Sequence, residues 1–109
     1  MTRNLIVGLL ALTGLSAAQS PQTFTGIITD DMCALPGHAS MKMGPTDADC
    51  VKACISAHGA SYVLLDGKNV YILSDQKTPE KFAAQKVAVV GTLDAKTKTI
   101  TVQSIAPAK

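Results

Sequence analysis

Apart from the initiating methionine, every soft metal donor of the chain lies in one stretch: Met32, Cys33, His38, Met41, Met43, Cys50, Cys54 and His58 all fall between positions 32 and 58. Thiolate, thioether and imidazole are the groups that select copper(I), zinc and related ions over hard cations. Cys50 and Cys54 stand one helical turn apart, with side-chain origins about 6 Å from each other on one face, so both can reach a single ion. Cys33 and His38, from the segment before, would complete a four-coordinate set. The expected ligands are therefore Cys33, His38, Cys50 and Cys54, with His58, Met41 and Met43 in reserve. The expected ion is copper or zinc. Three cysteines and one histidine are a common structural zinc set, whereas nearby methionines suit copper.

The same residues allow plainer roles. A disulfide from Cys33 to Cys50 or Cys54 would staple the segment to the helix and stabilise a small domain by about 3 kcal/mol. A bond between the two helix cysteines is harder, because thiols at i and i+4 pair only with distortion. The remaining thiol would then be a small buried apolar side chain, and the protein a metal-free interaction domain binding a peptide, a glycan or a partner protein. His58 also suits the C-terminal dipole of a helix, a methionine can fill a core gap, and Asp30 and Asp31 read as turn residues at a strand end. Catalysis is not expected: no serine sits in a nucleophile elbow and no acid/base pair is evident. Thiol oxidoreductases want Cys-x-x-Cys and haem attachment wants Cys-x-x-Cys-His, but here three residues separate the helix cysteines and Ile55 follows.

These side chains need elements to hold them. Thr46 offers an N-cap with Asp49 three residues on, and Gly59 offers a left-handed stop, which predicts a helix over 47–58. On a helical wheel Cys50, Val51, Cys54, Ile55 and His58 share one side, opposite Lys52 and Ser56. Before it, residues 30–46 hold two prolines and two glycines and read as an irregular segment. Thr23 to Thr29 is a β-branched and aromatic run, with Gly26 marking a bulge or tight bend. Residues 61–66 and 69–74 flank a turn at Gly67 and Lys68, and residues 86–94 and 99–105 flank a turn at Ala95 to Lys98. Thr78 and Pro79 open a short helical turn whose Phe82 can plug one end of the sheet. The fold expected is mainly β with one helix, a small five-stranded OB-like barrel, with a five-stranded α+β sandwich as the alternative.

The chain has 109 residues, 47% hydrophobic and 17% charged, which leaves room for one small domain. Arg3 precedes an uncharged apolar run, Leu5 to Leu15, that ends in Ser16, Ala17 and Ala18, the pattern of an export signal cleaved after Ala18. Residues 1–18 are thus read as a leader and 19–109 as a single domain, periplasmic or secreted. The apolar run falls short of the ~20 residues a membrane span needs. Ten basic against eight acidic residues give a net charge of +2 without a basic run, and the mature part has few aromatic residues for stacking, so nucleic acid is not an expected partner.

Several segments together, GIITDDMC, the His38 and Met-rich loop, DCVKAC, GASYVLLDGKNVYIL and KFAAQKVAVVGTLDAKTKTITVQSI, resemble a family of small exported bacterial proteins of uncharacterised function. The family's pattern of one cysteine, a following histidine and a helical Cys-x-x-x-Cys is matched by Cys33, His38, Cys50 and Cys54. The resemblance implies an OB-like barrel and a shared cysteine/histidine site, without an activity.

Overall fold

The computed structural model describes residues 20–34 and 46–108. The expected leader, His38, Met41 and Met43 lie outside them. Five strands, β1 (Gln22–Asp30), β2 (Tyr62–Asp66), β3 (Asn69–Leu73), β4 (Lys86–Asp94) and β5 (Thr99–Pro107), close into a barrel in the order β1-β2-β3-β5-β4. Neighbours are antiparallel except β3 and β5, which run parallel. Helix α1 (Asp47–His58) follows β1, and a short 3-10 helix, Thr78–Phe82, precedes β4. This is the OB-like barrel expected from the hairpins and their turns, not the α+β sandwich.

Alternation chooses the inside of the barrel. Ile28, Leu64, Leu73, Val87, Val89 and Ile100 are buried in one apolar cluster, with Phe24, Tyr71, Phe82 and Leu93 packed at its margin. β2 is buried at three successive positions, Tyr62, Val63 and Leu64, as a strand apolar on both faces must be, whereas Ile72 of β3 is 43% exposed. Pro79 and Ala83 are buried where the 3-10 helix crosses one end, and Phe82 is half-buried beside them.

Gly26 departs from expectation. The ladder runs through it without a register change, and the irregularity falls instead at Val90/Gly91, where β4 meets β5. β1 pairs with β4 up to Ile27 and with β2 from Ile27 onward, so it closes the barrel by belonging to both sides. At Gly26 this brings the backbones so close that a Cβ would collide with the Leu65 carbonyl oxygen and stand 3.1 Å from Leu64 Cγ. Close approach, not a bulge, requires glycine here.

Helix α1 is bounded as its caps dictate. Thr46 Oγ1 accepts from the Asp49 N–H at 3.1 Å and donates to Asp49 Oδ2 at 2.9 Å. At the other end Gly59 adopts φ 67°, and the N–H groups of Gly59 and Ala60 both reach the Cys54 carbonyl. Val51 enters the barrel core, with Ala48 and Ile55 alongside, and fixes which face of the helix looks down. Among the described residues no helix is long and apolar enough to cross a membrane.

Candidate metal centre

Two short connections bring the cysteines together. β1 ends at Asp30, paired with Tyr62, and the chain turns through residues 31–34. Beyond the strand ends, the Asp31 N–H donates to the Ser61 carbonyl at 3.0 Å and the Ser61 N–H donates to Asp31 Oδ1 at 3.2 Å. That pins the turn beside the residues leaving α1. Asp30 Oδ2 shapes the turn from within, accepting from the Met32 and Cys33 N–H groups at 3.1 Å each. Cys33 is thereby aimed at the helix, where Cys50 and Cys54 present their side chains one turn apart.

The three cysteines form a buried cluster of their own, separate from the barrel core and covered in part by Ala60. Cys33 Sγ lies 3.7 Å from Cys54 Sγ and 3.9 Å from Cys50 Sγ, and all three sulfurs lie within 4.8 Å of one another. A zinc–sulfur bond of about 2.3 Å requires tetrahedral sulfur–sulfur edges of about 3.8 Å. The two separations from Cys33 match that edge. They are nearly twice the ~2.05 Å of a disulfide, and none of the three cysteines is bonded to another. The staple considered from the sequence, Cys33 joined to a helix cysteine, is not the arrangement found.

Burial pushes the Cys33 thiol far above its ordinary range, helped by its contact with Cys54 and by the negative charge of Asp30. Cys54 is raised as well, by burial first, although its hydrogen bond with Cys33 offsets part of the effect. A thiol so held has little thiolate character and makes a poor nucleophile, which argues against thiol redox chemistry. A metal reverses this, because a coordinated thiol gives up its proton to the cation's charge. Three buried thiols at ligand spacing, of which Cys33 and Cys54 resist ionising alone, suit an ion.

His38, Met41 and Met43 fall outside the described residues. His58 does not join the sulfurs: it is exposed on the last turn of α1. The helical wheel puts His58 on the cysteine side, but the last turn of the helix, from Ser56 on, is exposed. Asp30 is the residue the sequence reading missed. Read as an ordinary turn carboxylate, it is fully buried, next to Cys33, and its Oδ1 has no hydrogen-bond partner among the described residues. No signal short of the fold distinguishes it from exposed Asp31. No family model, no curated protein and no solved structure matches the chain.

Proposed function

We propose that the protein is an exported metal-binding module, a carrier or sink for a thiophilic ion, copper or zinc, and not an enzyme. The observation that carries this reading is the convergence of Cys33, Cys50 and Cys54, buried and with sulfurs within 4.8 Å. The leader read in residues 1–18 and the family pattern of Cys33, His38, Cys50 and Cys54 support export and a shared site. His38 is the donor the sequence offers for a fourth position. A protein sent to an oxidising compartment with three reduced thiols needs something to protect them, and a bound ion supplies that protection.

Titration of the reduced protein under anaerobic conditions tests this. One zinc or copper(I) ion should bind per chain, release protons from the thiols and shield all three from alkylation. Cys33→Ser, Cys50→Ser and Cys54→Ser should each lose the ion. Alkylation that proceeds equally with and without metal would refute the proposal.

A further inference from the structure

We infer that Asp30, through Oδ1, is the fourth donor to the ion held by Cys33, Cys50 and Cys54, which makes the centre a three-sulfur, one-oxygen site for a borderline divalent cation such as zinc. This rests on the metal-binding reading above, names its ion, and puts Asp30 in the fourth position in place of His38.

The inference starts from an unsatisfied atom. Asp30 closes β1 with no exposed surface, and its two oxygens have different surroundings. Oδ2 is held by the Met32 and Cys33 N–H groups, whereas Oδ1 is buried with no hydrogen-bond partner among the described residues. Buried polar atoms are rarely left in that state, and a charged one is the costliest to leave so. The carboxylate lies beside the cluster, since the residue whose N–H it accepts at 3.1 Å is Cys33. A buried carboxylate beside a thiol cluster, with one oxygen fixed by backbone N–H groups and the other unpaired among the described residues, has the form of a metal ligand oriented by its outer shell.

Charge and donor type then select the ion. Three thiolates and one carboxylate around a divalent cation leave the same net charge as a four-thiolate structural zinc site. Copper(I) is satisfied by soft sulfur and gains little from a carboxylate oxygen, while zinc accepts sulfur and oxygen together. The carboxylate is not among the donors already within 4.8 Å of one another, so on loading Oδ1 and the ion must close that gap while Oδ2 keeps its bonds to the turn. On binding, the thiols lose their protons to solvent and Oδ1 gains the partner it lacks.

X-ray absorption at the zinc edge of the full-length loaded protein reads the ligand set directly. The expected shell is three sulfurs and one oxygen, without the outer-shell scattering of an imidazole. Asp30→Asn keeps an acceptor for the turn and removes the donor; it should lower zinc affinity by about tenfold or more and leave copper(I) affinity unchanged. Imidazole scattering that disappears in His38→Ala would overturn the inference. So would an Asp30→Asn variant that weakens both ions equally, the mark of a residue that only positions Cys33, or one that weakens neither. If Asp30→Asn does not fold, the wild-type spectrum decides alone. Zinc held by the cysteines but indifferent to Asp30 would sink this inference and spare the proposed function, whereas a protein that takes up no ion would end both.

Discussion

Replacing Cys54 by alanine separates its packing role from its ligand role. Cys54 is fully buried, with its sulfur 3.7 Å from that of Cys33. Without metal it is a small apolar side chain, and losing the sulfur costs about 1–2 kcal/mol in transfer and residual cavity. That corresponds to a fall in Tm of about 4–8 °C per kcal/mol for a domain of this size. Zinc at a free concentration about 1,000 times its Kd adds about 4 kcal/mol to the wild-type protein by mass action, less whatever the unfolded cysteines retain. The variant, with two sulfurs left, should gain almost none of this. Chemical denaturation of the reduced proteins, followed by far-ultraviolet circular dichroism with and without zinc, should therefore show the gap between them widening from about 1–2 to about 5–6 kcal/mol. A gap of equal size in both conditions would mean that Cys54 is core packing alone, and the reasoning from sulfur convergence would fail.

Three further outcomes follow from the geometry. Gly26→Ala should destabilise the fold by about 3 kcal/mol in denaturant titration, because the added methyl meets the Leu65 backbone, which cannot give way as a side chain can. Cys33 and Cys54 are both raised above the ordinary thiol value of 9.0, so their contribution is intact below that pH and lost as pH rises beyond it. The metal-free protein should lose about 1.4 kcal/mol per pH unit per thiol above that value, and zinc, which holds the sulfurs deprotonated, should abolish the loss. Asp75 is held below its usual carboxylate value by hydrogen bonds from Thr78, through side chain and backbone, and from the Lys77 N–H. Its contribution is present above the unfolded carboxylate range and disappears as pH falls through the depressed value, so Asp75→Asn should cost about 1 kcal/mol at neutral pH and flatten the acid side of the stability curve.

Most of the architecture was legible because each element carried its own punctuation. Thr46 with Asp49 and Gly59 bound the helix on both sides, and the turns at Gly67–Lys68 and Ala95–Lys98 separate strands whose apolar content betrays burial. Of the bulge or tight bend read at Gly26, the bulge is not found, because a bulge and a close approach ask for the same residue; only the neighbouring strand, and the Leu65 carbonyl in it, tells them apart. At the candidate centre the helical spacing of Cys50 and Cys54 was decisive, and Cys33 followed once the turn after β1 was tied back to Ser61. His58, a reserve ligand also read as a helix-end residue, and Asp30, read as a turn residue, take those local places, but their exposure was not legible. A helical wheel and a turn signature both report local direction, but burial depends on where the element ends relative to the barrel. His58 is exposed on the last turn of α1, while Asp30 is fully buried at the end of β1.

Native mass spectrometry of the protein isolated without reductant or chelator tests the central claim most directly. The mass should exceed that of the mature chain by one zinc ion less two protons, the shift that a single bound divalent cation gives. A mass equal to the bare chain, or lower by two hydrogens as a disulfide requires, would contradict it.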